Sequence, residues 1–372
     1  MKSGFFLRAV RNGLFAFCLA GAVVPPHAQA EQQDRLVIFD DDGFALAQWM
    51  VLKAPHVKVL GFATVSGDFW QKEATAYALR GVEIANRPDV PVLAGATYPL
   101  LNTEKRTERW ESLYGKLVWK GAWMKQWVEK TNQPLPPYHA ANSVPDLPWG
   151  NPKTKAAPET AVSFMLRMVH QYPGQVSIIE CGPMTNLALA QKLDPEFASL
   201  AKELVYMGGS LNPQQKLNTP AAAQFAREFG NSPRREFNIR FDPEAASIVM
   251  HAPWKKIVMV PADPSTETEM SEAFVKDITQ SDTPVARIMR KSANNFPLWD
   301  EIAAAVWLDP SLIRTSTDVY VDVNTAFDAQ YGDILSWSEG YQPRLDEQKE
   351  HVVLRVDVPR MKALIKDLIA RP

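Results

Sequence analysis

Three adjacent carboxylates, Asp40, Asp41 and Asp42, stand between the apolar run Val37-Ile38-Phe39 and Gly43. A single Asp there is explained by capping a following helix, where its charge suits the positive end of the helix dipole. Three together repel and raise one another's pKa unless a cation neutralises them. The triplet therefore points to a hard-metal pocket or an acid–base centre. The ends of other apolar runs carry similar chemistry: Ser66-Gly67-Asp68, Cys181-Gly182-Pro183, Gly208-Gly209 and Asp263. Glycines in such turns let backbone come close to a ligand. The six histidines are scattered, with no His-x-x-x-His or Cys-x-x-Cys spacing, so zinc is not expected.

These residues need elements to position them, and the hydrophobic pattern supplies candidates. Residues 35–39 read as a buried strand, 43–53 as a buried helix, 57–65 as a strand, 71–86 as an amphipathic helix and 90–93 as a strand. This βαβαβ order predicts an open α/β fold with a mainly parallel central sheet flanked by helices. In such sheets ligands bind beyond the carboxyl ends of the strands, where the acidic turns fall. A Trp-rich and Pro-rich stretch, 102–157, interrupts the alternation with Trp110, Trp119, Trp123, Trp127 and Trp149. It reads either as aromatic packing of a helical excursion or as a lid that touches substrate. Alternation then resumes: helices at 158–171, 185–192 and 243–251, strands at 175–180, 203–207 and 256–260. The last third gives helices near 271–278, 284–292 and from Trp299, strands at 319–323 and 351–356, and a closing helix from Pro359.

Lys2, Arg8 and Arg11 precede the apolar stretch 13–24, and Ala28-Gln29-Ala30 follows with small residues at the positions a signal peptidase reads. Residues 1–30 are expected to be a secretory leader and 31–372 one domain, periplasmic or secreted. Beyond the leader only Cys181 remains, which excludes an intrachain disulfide. A formal charge of -2 without a basic stripe gives no footprint for nucleic acid, and no later run is long enough to span a membrane.

Five ordered segments resemble the inosine-uridine-type nucleoside hydrolases. They are Gly43-Phe44-Ala45-Leu46-Ala47 with 59–68; Cys181-Gly182-Pro183-Met184-Thr185-Asn186-Leu187; 203–209; Glu236-Phe237-Asn238 with Phe241-Asp242-Pro243; and Trp299-Asp300-Glu301 with Leu308-Asp309-Pro310. The resemblance implies calcium-dependent hydrolysis of the N-glycosidic bond of ribonucleosides to free base and ribose, in purine or pyrimidine salvage. It implies Ca2+ held by Asp40, Asp42, the Cys181 carbonyl and Asp300, with Asp40 and Asp42 also catalytic. Asp41, Asp68, Glu236, Asn238 and Trp299 would contact substrate. The partner implied is a small-molecule nucleoside, with self-association left open.

The chain departs from that family at three points. Its first loop is shortened to Asp40-Asp41-Asp42-Gly43, so two alignments stay open: Asp41 and Asp42 as the family's Asp-Asp pair, or Asp40 and Asp42 as its first two aspartates. Asp68 stands where Asn is usual, and Trp299 where many members carry a leaving-group His. An alternative is a catalytically impaired nucleoside- or sugar-binding relative. Residues 37–43 also resemble the opening of the haloacid-dehalogenase-type phosphatases, which would make Asp40 a nucleophile and Asp42 an acid/base with magnesium. Phe44 then replaces the Thr of that family, and no later acidic pair completes its site.

Overall fold

A computed structural model describes residues 1, 34–128, 134–211, 236–292 and 295–372. The expected leader, apart from Met1, lies outside the described residues. Among the described residues nine strands form one sheet in the order β3-β2-β1-β4-β5-β6-β9-β7-β8. These are β1 (Arg35–Asp41), β2 (Val57–Thr64), β3 (Val92–Ala94), β4 (Val176–Glu180), β5 (Glu203–Met207), β6 (Ile257–Val260), β7 (Ile313–Val323), β8 (Ile334–Trp337) and β9 (Lys349–Val356). From β3 to β9 every pairing is parallel, whereas β7 runs antiparallel to both β9 and β8.

The central strands are apolar throughout because both faces are covered. On β1, Val37 and Phe39 enter one core and Ile38 the other; on β4, Ile179 and Ile178 divide the same way. The first core is built by α1 (Leu46–Lys53), α2 (Gln71–Ile84) and the later helices Asp300–Leu308 and Val358–Ala370. Trp49 of α1 is fully buried there, and truncating such a ring costs on the order of 3–5 kcal/mol. Strand order reverses at β1, which has β2 on one side and β4 on the other. The crevice of an α/β sheet opens at such a point.

Most expected elements are present with ends shifted by a few residues. The first helix starts at Leu46 rather than residue 43, because the Ala45 N–H donates to Gln48 Oε1 at 2.8 Å and residues 42–45 remain a turn. Strand β8 was not foreseen. It is a four-residue, half-exposed edge strand, specified by pairing with β7 rather than by a periodic pattern of its own.

Among its described residues the 102–157 excursion contains the helix α3 (Glu104–Tyr114), capped by Thr103 accepting from Arg106 N at 3.1 Å, and a short 3-10 turn at Gly121–Trp123. Both readings of its tryptophans apply, to different rings. Trp110 is fully buried and donates to Asp328 O at 2.7 Å, Trp123 stacks on Phe241 at 4.2 Å, and Trp149 packs on Trp49 at 5.2 Å. Trp119 and Trp127 instead reach the crevice. The excursion is pinned to the sheet rim at Gly121, where φ is +53° and Ala122 N donates to Gly67 O at 2.9 Å. An added Cβ at Gly121 would stand 2.1 Å from that same oxygen. A second anchor joins His139 Nε2 to Glu73 Oε2 at 2.8 Å.

Candidate active site

The three consecutive aspartates have three different environments. Asp40, the last but one residue of β1, lies beside its register partner Glu180 of β4, and both are fully buried. Asn186 Nδ2 donates to both Asp40 oxygens at 3.0 Å, and Gly182 N donates to Glu180 Oε1 at 2.9 Å. Burial pushes Asp40 up to about 7 and Glu180 well above the ordinary carboxylate range, with the Asp40 charge adding to the rise of Glu180. Asp41 turns toward α1, where Gln48 Nε2 donates to its Oδ2 and Asp42 N donates to its Oδ1 at 2.8 Å. Burial raises Asp41 to about 7 as well. Only Asp42 faces the crevice.

That crevice holds a cavity of about 390 Å³. Asp42, Asp68, Glu236 and Asp300 give it four carboxylates, and Cys181, Asn238 and Ser265 add to the polar lining. Asp68 N donates to Asp42 Oδ2 at 2.6 Å, which ties the turn after β2 to the turn after β1. Gly67 makes this approach possible, since a Cβ there would lie 1.9 Å from Asp42 Oδ2. Glu236 caps the short helix Phe237–Phe241, accepting from Gly209 N and Asn238 N at 2.8 Å and from Ile239 N at 3.0 Å. Asn238 Nδ2 donates to Cys181 O at 3.0 Å and Met207 O at 3.1 Å, so its Oδ1 is the amide atom left for a ligand.

The electrostatics favour a cation. Withdrawal from water raises Asp42 and Asp300 well above the carboxylate range, with Asp68 and Asp41 adding to the first and Asp41 and Glu301 to the second. Burial also lifts Glu236 to about 7 despite its three backbone N–H partners. Among the described residues no Lys, Arg or His lines the cavity. Oxygen donors without a cationic side chain suit a hard metal such as calcium, which takes six to eight oxygens. Among the described residues, no three His, Cys, Asp or Glu side chains are grouped to hold a metal by themselves. A shell here would therefore draw on Asp42 and Asp300 together with backbone, water or substrate oxygens.

Aromatic rings line the same cavity. Trp119 and Trp127 stack at 5.2 Å, Phe237 stands 6.4 Å from Trp119, and Phe296 lies parallel to Trp299 at 6.3 Å. Trp119 Nε1 donates to Asp68 Oδ1 at 2.5 Å.

Seven residues expected from sequence thus meet around one cavity: Asp42, Asp68, Cys181, Glu236, Asn238, Trp299 and Asp300. Asp40 and Asp41, expected to take metal, catalytic and substrate roles, are not among the residues that line it. Successive residues at a strand end point different ways, and these two point into the protein. Asp40, the nucleophile of the phosphatase reading, is 0 % exposed and is held by Asn186. Asp263, another acidic strand end, accepts from Leu211 N at 3.0 Å and is absent from the cavity lining. Sequence reasoning missed Glu180, Gln48 and Asn186 as the buried partners of the triplet, and Phe237 as part of the aromatic lining. A carboxylate in the apolar run Val176-Ser177-Ile178-Ile179-Glu180 was the available signal for the first.

Comparison with known proteins places these observations. The family model described as inosine-uridine preferring nucleoside hydrolase matches residues 37–363. A probable uridine nucleosidase 1 of Oryza sativa subsp. japonica is 28% identical over 366 residues, covering 91% of this chain and 98% of that protein. The inosine-uridine preferring nucleoside hydrolase of Leishmania major is 24% identical over 355 residues, covering 91% and 98%. Among solved structures, a plant nucleoside hydrolase superposes with TM-score 0.67 at 22% identity, covering 91% of this chain and 99% of its own. An inosine-guanosine nucleoside hydrolase gives TM-score 0.68 at 18% identity with the same coverage.

Proposed function

The chain belongs to the inosine-uridine preferring nucleoside hydrolase family, and from that premise we propose that it cleaves the N-glycosidic bond of ribonucleosides with water, releasing free base and ribose in a calcium-dependent reaction. The observation that carries this reading is one cavity lined by both carboxylates and aromatic rings. The carboxylates suit a ribose whose C1′ becomes positively charged as the bond breaks, because fixed negative charge there stabilises the oxocarbenium-like transition state. The aromatic rings suit a flat base, and stacking of this kind contributes roughly 1–3 kcal/mol per base.

Asp42 and Asp300 are the side chains that would hold the ion. When bound, a divalent cation supplies neutralisation of their charge and greater acidity of a coordinated water. Asp42, the one carboxylate of the triplet at the cavity, takes the proton of the attacking water. Asn238 Oδ1 and the remaining lone pairs of Glu236 accept from ribose hydroxyls, and their backbone clasps fix the geometry. Trp299, where many members of the family carry a His, stacks on the base and gives it no proton. Asp40 and Asp41 act from behind, holding the turn that presents Asp42. The cationic, apolar and small-residue order of residues 1–30 supports export.

The test is base release from a panel of purine and pyrimidine ribonucleosides, with calcium and with chelator, followed by chromatography of base and ribose. Calcium-dependent appearance of both in equal amounts is expected. Tight nucleoside binding without any release would replace catalysis with a binding role.

A further inference from the structure

A second cavity, of about 720 Å³, shares no lining residue with the candidate active site. It lies where strands begin rather than where they end. Arg35 and Glu203 are the first residues of β1 and β5, Lys256 directly precedes β6, and Ile313 opens β7. The end of the helix Asp300–Leu308 contributes Val306 and Trp307. Small-molecule sites have volumes of about 300–1,000 Å³, and this cavity falls among them.

Positive charge in its lining exceeds negative. Arg35, Lys202 and Lys256 face one carboxylate among the described residues, Glu203. Lys256 Nζ lies 2.7 Å from Glu203 Oε2, and Ser177 Oγ donates to the other oxygen at 2.8 Å, so this pair is satisfied. His351 also lines the cavity, with Nδ1 bonded to Asp318 Oδ1 at 2.8 Å. Among the described residues neither Arg35 nor Lys202 forms an ion pair. The Arg35 guanidinium lies 3.9 Å over the Trp307 ring and donates to the carbonyls of Trp307 at 2.5 Å and Leu308 at 3.2 Å. Those acceptors fix its direction without a full charge to cancel its own. Burial accordingly pulls Arg35 below its ordinary pKa, with Glu203 opposing the fall. The remaining lining is apolar, with Val205, Val258, Val306 and Ile313. An inorganic ion would leave that surface wet, and a neutral apolar guest would strip water from cations that gain no partner. We propose that this cavity binds a small organic anion, a carboxylate or phosphate ester carried on a compact apolar body.

Calorimetry measures the affinity, and the Trp307 indole N–H locates the guest. That N–H is buried without a hydrogen-bond partner among the described residues, and its NMR resonance is assigned by its loss in Trp307→Phe. The protein, free of calcium, is titrated with 3-phenylpropionate, phenyl phosphate, 3-phenylpropanol and inorganic phosphate. At least one of the two organic anions is expected to bind about tenfold more tightly than the alcohol and to shift the Trp307 resonance, and the tighter of the two identifies the head group. Phenyl phosphate should also bind more tightly than inorganic phosphate. Lys202 is exposed, so Lys202→Glu should fold normally and weaken the anion about tenfold while leaving the alcohol unchanged. Lys256→Gln leaves Glu203 without its partner and should have the same effect, which gives an independent check. Anions that bind no better than the alcohol, that ignore both substitutions, or that leave the Trp307 resonance in place overturn the proposal. Inorganic phosphate binding as tightly as phenyl phosphate overturns the role of the apolar body. None of these measurements involves a nucleoside, so the hydrolase reading and this inference stand or fall separately.

Discussion

Replacing Gly67 by alanine isolates the contact on which the placement of Asp42 depends. The new Cβ would meet Asp42 Oδ2 at 1.9 Å, Cγ at 2.7 Å and Cβ at 2.8 Å, so moving the carboxylate tip alone does not relieve the clash. The whole Asp42 side chain must swing, which breaks the 2.6 Å bond it accepts from Asp68 N. A hydrogen bond to a charged group contributes about 1.5–3 kcal/mol, and an extra methyl in a filled site costs about 1–3 kcal/mol. The expected destabilisation is therefore on the order of 2.5–6 kcal/mol. Displacing a reacting carboxylate by about 1 Å lowers turnover about 100-fold. Urea denaturation followed by circular dichroism reads the first effect, and base release from a cleaved nucleoside reads the second. Gly43→Ala is the matched control, because its added Cβ meets only Phe69 at 3.6 Å, an ordinary contact, and should leave stability nearly unchanged. A Gly67→Ala protein with unaltered urea midpoint and turnover would refute the placement of Asp42.

Two further perturbations probe buried charge. Asp300→Asn removes a carboxylate held well above its ordinary pKa by burial and by Asp41, so in chelator the variant should be at least as stable as the parent. Calcium at about 100 times its dissociation constant stabilises a folded protein by about 2.7 kcal/mol, and the variant should lose most of that gain; an unchanged calcium titration would show that Asp300 is no ligand. Glu350 is fully buried, accepts from the Tyr206 hydroxyl at 2.6 Å, and is pushed by burial from 4.5 to about 8. The folded state therefore keeps a proton that the unfolded chain releases, so this contribution is complete below about pH 4.5 and is lost as pH rises toward 8. Glu350→Gln should flatten the decline in stability across that window, and parallel pH–stability curves for the two proteins would contradict the assignment.

Much of the fold was legible in the chain itself. Apolar runs such as Val37-Ile38-Phe39 and Val176-Ser177-Ile178-Ile179 specify strands buried on both faces, and their alternation with helical segments specifies a parallel sheet. The turns at strand ends were legible too, since the acidic and glycine residues there have few structural uses that do not involve a ligand. Asp68 could be named from such a turn before its position was known, whereas Glu236, Asn238 and Asp300 were named only through the resemblance to the nucleoside hydrolases. The antiparallel β8 was not legible, because an edge strand of four residues is specified by its partner.

What sequence determined by itself was that carboxylates gather at one rim of an α/β sheet. What tertiary structure decided was which of them meet a ligand. Asp40, Asp41 and Asp42 are chemically identical neighbours, yet one faces Asn186 and Glu180, one faces Gln48, and one faces the cavity. Direction at a strand end follows from pleat, register and the elements packed on either side, which residue type does not encode. The tryptophans divide for the same reason. Trp110, Trp123 and Trp149 complete cores, whereas Trp119 and Trp127 reach the cavity because Gly121 lets the excursion close over Gly67.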